Sequence, residues 1–157
     1  MRIVVCGVGN KERGDDAFGP YVVERIRARQ NMQKIDCGLY PENQLNKITS
    51  LSPDVVIFLD AIEGEEKPVL LRNEEITEHS TLSLTTHALP FSAVYTFLRE
   101  TGVPDVFFLG VPVVSFERFS KQVKDIGDRV VNVLNDVDKE QGFSIIKLYE
   151  ALSEQLR

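Results

Sequence analysis

Much is excluded by what this chain lacks. It has only two cysteines, Cys6 and Cys37, too few for a disulfide framework. Both fall in apolar, strand-like runs, where a free thiol acts as a small core hydrophobe, and the expected compartment is a reducing cytoplasm. No apolar run approaches the roughly 18–20 residues that cross a bilayer. The longest, Val55 to Leu59, is bracketed by Asp54 and Asp60. The opening apolar stretch, Ile3-Val4-Val5-Cys6, is too short for a secretory signal peptide. Dense blocks of Lys and Arg are missing as well, and the formal net charge is −6, so neither a nucleic-acid backbone nor a membrane is an expected partner. Repeats, low-complexity tracts and linkers are absent. The 157 residues are therefore expected to form a single domain, 1–157, large enough to bury its own core.

What is present alternates. Ile3 to Val8 is a continuous apolar run with β-branched residues, the pattern of a strand buried on both faces. A polar, glycine-bearing stretch follows, and then a helix carrying Phe18, Val22 and Ile26. Pro20 is compatible with that helix only in its first turn, which places the start near Ala17. Lys34 to Leu39 reads as a second strand, Pro41-Glu42-Asn43 as the opening of a short helix, and Val55 to Leu59 as a third strand. Val69-Leu70-Leu71 is strand-like, whereas Asn73 to Thr86 carries no assignable pattern. Phe91, Val94, Tyr95 and Leu98 mark a helix from Pro90, with Gly102 placed to cap it. Asp105 to Val111 is the fifth strand. Val123, Ile126, Val130, Val133 and Val137 mark a long helix with Gly127 as its weak point, and a last amphipathic helix spans Ile145 to Leu156.

This order predicts an α/β fold: a doubly wound, mostly parallel five-stranded sheet with helices on both faces and right-handed crossovers. In such a sheet the first and third strands are neighbours at the point where the winding reverses, and ligands sit beyond the carboxyl ends of the strands there. That edge receives the loop Gly7-Val8-Gly9-Asn10-Lys11-Glu12-Arg13-Gly14-Asp15-Asp16 and the end of strand three at Asp60. A dinucleotide fingerprint would need a third glycine where Glu12 stands, and two aspartates at a helix start repel phosphate, although Lys11 and Arg13 offer some compensation. Asp15 and Asp16 also suit helix capping, but one cap needs only one of them, so at least one is assigned a functional role. Asp60 closes an otherwise apolar strand. Of the two histidines, His79 reads as a solvated loop residue, while His87 lies just before a helix start, where a loop can bring it to the same edge. Two carboxylates and an imidazole from three loops could hold a divalent transition metal with open positions.

At these residues the chain resembles the hydrogenase maturation endopeptidases. Gly7-Val8-Gly9-Asn10 with Gly14-Asp15-Asp16 and Gly19-Pro20 is similar to that family's first block. Asp36-Cys37-Gly38 with Pro41-Glu42-Asn43 resembles its second, particularly in the formate-hydrogenlyase and archaeal deazaflavin-hydrogenase branches. Leu59-Asp60-Ala61 and Thr86-His87-Ala88-Leu89-Pro90 resemble the third and fourth. The likeness departs after strand five, where Gly110-Val111-Pro112 lacks the family's glutamine and Ser115-Phe116-Glu117-Arg118 replaces a glycine-containing turn. The resemblance implies an endopeptidase that removes a short C-terminal peptide from the nickel-loaded large-subunit precursor of a nickel–iron hydrogenase. Asp16, Asp60 and His87 would contact the nickel, Asp16 would serve as general base and Asp36 in support. The nickel belongs to the substrate, so no permanent cofactor is expected, and the protein would act as a cytoplasmic monomer. The alternatives are a nucleotide-binding enzyme on the same frame and a catalytically silent binding homologue.

Overall fold

The computed structural model describes residues 1–79, 90–137 and 143–157. Apolar runs rich in β-branched and aromatic residues form the central strands β1 (Ile3–Val8), β3 (Val55–Ile62) and β5 (Asp105–Pro112), flanked by the more mixed β2 (Met32–Gly38) and β4 (Val69–Arg72), numbered in chain order. The helices are α1 (Phe18–Arg25), α2 (Leu45–Ser50), α3 (Glu74–Glu78), α4 (Phe91–Glu100), α5 (Lys121–Asp136) and α6 (Ile145–Glu154). The strands lie in the order β2-β1-β3-β5-β4, so β1 and β3 are neighbours where the winding reverses, as expected. β1, β2, β3 and β5 are parallel, and β4 pairs antiparallel along the outer edge of β5.

The sheet separates two cores, because successive side chains of a strand point to opposite faces. Val5, Ile57 and Phe107 pack under α1, α5 and α6, where Phe18, Val22, Val130, Leu134, Leu148 and Leu152 are buried. Cys6, Val56, Phe58 and Phe108 pack under α2, α3 and α4, against Ile48, Ile76, Phe91 and Leu98. Phe91 stands edge-on between Phe58 and Phe108, with ring centroids 4.8 Å apart in both pairs. Each such aromatic pair adds about 0.5–1.5 kcal/mol beyond the area it buries. Both cysteines are free and buried, as expected of core thiols.

Four local expectations change. β2 begins at Met32, because Met32 pairs with Ile3 and is itself buried. β3 runs on through Ile62, so Asp60 does not close it; β5 continues alongside to Pro112, and Asp60 sits opposite Gly110 within the ladder. The unpatterned stretch after Asn73 contains the short helix α3, held by one buried side chain, Ile76. Gly127 is less a weak point of α5 than a contact. A Cβ there would come within 3.1 Å of the Tyr21 ring on α1, so the missing side chain lets the two helices close.

Candidate active site

The site grows from the contact between the start of α1 and the ends of β1 and β3. A Cβ on Gly19 would fall 2.5 Å from both the Leu59 carbonyl oxygen and the Val8 amide nitrogen. Only a residue without a side chain lets α1 rest directly on the two central strands. This close approach carries the preceding 3-10 turn, Gly14–Ala17, over the carboxyl edge of the sheet. Asp16 lies in that turn, half-buried. Its Oδ2 accepts a 2.8 Å hydrogen bond from the Asn10 amide, and the Asp16 amide donates to the Arg13 carbonyl at 3.1 Å. Gly9, at φ 138°, occupies backbone space that favours glycine, and a Cβ there would overlap the Asp16 carbonyl oxygen.

Asp60 reaches the same edge from β3 and is only 6% exposed. Burial pushes its carboxyl well above the usual carboxylate range, the neighbouring Asp16 charge raises it further, and a hydrogen bond from the Ala61 backbone partly offsets both. Cys37 adds a smaller upward contribution, which places that thiol close by. Asp16 and Asp60 are therefore electrostatically coupled acids in different surroundings, one anchored and half-exposed, the other buried and inclined to keep its proton. Such a pair suits cation binding or proton transfer.

Asp15, next in sequence to Asp16, does something else. It is fully buried, and neither aspartate caps α1, whose N-cap Ala17 makes no side-chain bond. The Asp15 Oδ2 accepts from the amides of Val114 and Ser115 at 2.8 and 2.9 Å and from the Ser120 hydroxyl at 2.9 Å. Its Oδ1 accepts from the Ser120 amide at 2.7 Å, and its own amide donates to the Ser115 carbonyl at 2.8 Å. The acid thus clamps the first loop to the segment between β5 and α5. Ser120 also accepts a hydrogen bond from the Val123 amide as the N-cap of α5.

Asp36 is exposed near the end of β2, where its Oδ1 accepts from the Gly38 amide at 3.0 Å. Its neighbours Ile35 and Cys37 enter the α4-side core, so strand alternation directs Asp36 to the other face. At the same place the register of β1 against β2 shifts, Gly7 lying opposite Asp36 and Val8 opposite Gly38. His87 lies outside the described residues. His79 is not the solvated residue expected. It is half-buried, with Nε2 3.2 Å from a Glu65 carboxylate oxygen, which ties the end of α3 to the loop after β3.

The first loop is poorly suited to phosphate. The amides of Gly9, Asn10, Glu12, Arg13, Asp15 and Asp16 all donate within the protein, to Gly38, Asp16, Asn10, Asn10, Ser115 and Arg13 respectively. A phosphate cradle needs such amides bare, and this geometry does not favour the nucleotide reading.

Residues 20–137 match the family model for hydrogenase maturation protease. The chain belongs to the hydrogenase maturation proteases. It is 30% identical over 158 residues to the hydrogenase 3 maturation protease of Escherichia coli, an alignment covering 96% of this chain and 99% of that one. The crystal structure of a NiFe hydrogenase maturation protease from Thermococcus kodakarensis superposes with a TM-score of 0.76 at 32% identity, covering 88% of this chain and 93% of the other. The hydrogenase maturating endopeptidase HybD from Escherichia coli gives a TM-score of 0.72 at 26% identity over 90% of this chain and 94% of its own. As a hydrogenase maturation protease the chain is a hydrolase, a peptidase built on an α/β sheet. Among the described residues, no helix is long and apolar enough to cross a membrane.

Two features of this protease escaped the sequence reading. The division of labour between Asp15 and Asp16 had only a faint signal, two acids where one cap would do. The Glu65–His79 pair had none, because it joins separate segments of unremarkable composition.

Proposed function

We propose that this protease removes a short C-terminal peptide from the large-subunit precursor of a nickel–iron hydrogenase, and that the precursor's own nickel is its recognition mark. The observation that carries this reading is the meeting of Asp16 and Asp60 at the β1–β3 switch point, in a chain of this family. Two carboxylates of opposite exposure give a directional contact for a cation brought by the substrate. Among the described residues, no three acidic, histidine or cysteine side chains form a metal cage by themselves. His87 is assigned as the third contact, from outside the described residues. Carboxylate and imidazole donors suit a divalent transition ion that retains open positions.

Asp16 is assigned as general base. The Asn10 amide fixes one of its oxygens, which leaves the other to take a proton from the attacking water. Asp36 supports the site indirectly, by setting the Gly38 turn, whose carbonyl receives the Gly9 amide at 2.8 Å. No permanent cofactor is required in this scheme, and buried free thiols suit a reducing cytoplasm, where the protein would act as a monomer.

The decisive experiment strips the enzyme with chelator and offers it nickel-loaded and nickel-free precursor, following the C-terminal peptide by intact mass. Trimming of the nickel-loaded form alone is the expected result. Efficient trimming of the nickel-free form by the stripped enzyme would refute the recognition role, because no metal would then be present either to mark the substrate or to activate water.

A further inference from the structure

The two loops joined by Asp15, one of which bears Asp16, carry a cation that the chemistry above leaves unused. Arg13 is held from both sides of its backbone: its amide donates to the Asn10 carbonyl, and its carbonyl accepts from the Asp16 amide, each at 3.1 Å. Its exposed side chain crosses to the other loop, where the guanidinium carbon lies 4.3 Å from the centroid of the Phe116 ring. Phe116 is itself placed by the Asp15 clamp at Val114, Ser115 and Ser120. Gly14 lies directly against the Ser115 and Phe116 backbone, which holds the two loops close enough for the ring to reach the Arg13 side chain.

Among the described residues, the Arg13 guanidinium makes no ion pair and no hydrogen bond. Glu12, beside Arg13, and Glu117, beside Phe116, are both exposed, and neither pairs with it. A guanidinium stacked on an aromatic face keeps its planar edge of N–H donors free, already oriented and partly stripped of water. That arrangement matches a carboxylate, which such an edge grips through two parallel hydrogen bonds. The same two loops also present Val114, 53% exposed, and the exposed cations Lys11 and Arg118, an apolar and positively charged surface suited to an acidic peptide.

We propose that Arg13, stacked on Phe116, is a specificity-determining residue that binds a carboxylate on the C-terminal extension of the precursor, beyond the bond to be cut. This rests on the proteolytic function proposed above and names a chemical feature its substrate must carry. It also gives a purpose to the Ser115–Arg118 departure, which supplies the ring beneath the arginine.

The test is a double-mutant cycle on the nickel-loaded precursor, with cleavage followed by intact mass. One axis is Arg13→Ala in the protease. The other is replacement of Asp and Glu by Asn and Gln within the extension, with a separate arm in which only the terminal carboxyl is amidated. Arg13→Ala should lower kcat/KM by roughly 10–100-fold on the native extension, the size of one charge-assisted contact, chiefly through KM. Neutralising the side chains, or the terminus if that is the source, should cost the wild type a similar factor, and the two changes together should cost little more than either. Arg13→Lys, which keeps charge but loses the planar fork, should recover only a small part of the loss. An equal effect of Arg13→Ala on native and neutralised extensions would overturn the inference while leaving the proteolytic function intact. Failure of the wild type to trim any nickel-loaded precursor would remove both.

Discussion

Asp15 and Asp16 are identical neighbours, yet the same isosteric change should have opposite consequences at the two positions. Asp15 faces only donors: three backbone amides and the Ser120 hydroxyl, at 2.7–2.9 Å, with no exposure to solvent. In Asp15→Asn one carboxylate oxygen becomes an NH2 group. If it replaces Oδ2 it points at the Val114 and Ser115 amides, and if it replaces Oδ1 it points at the Ser120 amide. Either way a buried donor meets a donor. Each buried group left unsatisfied costs about 1–3 kcal/mol, and the remaining bonds lose their charge assistance. A net loss of roughly 3–5 kcal/mol follows, equivalent in a domain of this size to about 10 °C or more in melting temperature. Asp16→Asn keeps a carbonyl oxygen for the single Asn10 amide and leaves its other position at the half-exposed mouth of the site. It should melt within about 3 °C of wild type while losing trimming of nickel-loaded precursor. Circular dichroism melts of both variants, with Asp15→Ala beside them, decide the matter. Asparagine should rescue nothing relative to alanine at position 15. If Asp15→Asn melts like wild type, or clearly above Asp15→Ala, the requirement for an acceptor-only side chain is wrong.

Other expectations follow from the same geometry. Asp60 has a folded-state pKa raised first by burial and then by the Asp16 charge, so its contribution to stability is present below the unfolded-state value of about 3.9 and is lost as pH rises through the folded one. Asp60→Asn should therefore melt above metal-free wild type at pH 7–8 and converge with it near pH 4; a constant difference across that range would contradict the shift. Gly9→Ala must displace the Asp16 carbonyl and occupy φ 138°, which should lower stability by about 2–3 kcal/mol and abolish trimming, as read by melting and intact mass. Phe91→Ala, which empties the space between Phe58 and Phe108, should cost about 3–5 kcal/mol in denaturant titration. It should leave activity largely intact where the variant remains folded.

The elements of the sheet and most of its helices were determined by the sequence alone, because their signals are local. The β-branched run of β1, the Phe91-Val94-Tyr95-Leu98 stripe of α4 and the Pro20 limit on α1 each lie within a dozen residues. Strand–helix alternation then left few arrangements, and the switch point marked out the Asp15-Asp16 pair together with Asp60, while the family resemblance alone separated Asp16 from its neighbour. The far end of β3 was not legible, since its last residues join the ladder only because β5 continues beside them. Nor was Gly127, whose role is set by Tyr21 on another helix. The separate tasks of Asp15 and Asp16 were decided wholly by tertiary structure. Two adjacent, chemically identical acids carry no local sign of which will turn inward, and the donors that claim Asp15 come from residues 99–105 positions away. Those hydrogen bonds exist only once α1 has settled on the sheet and brought the two loops together.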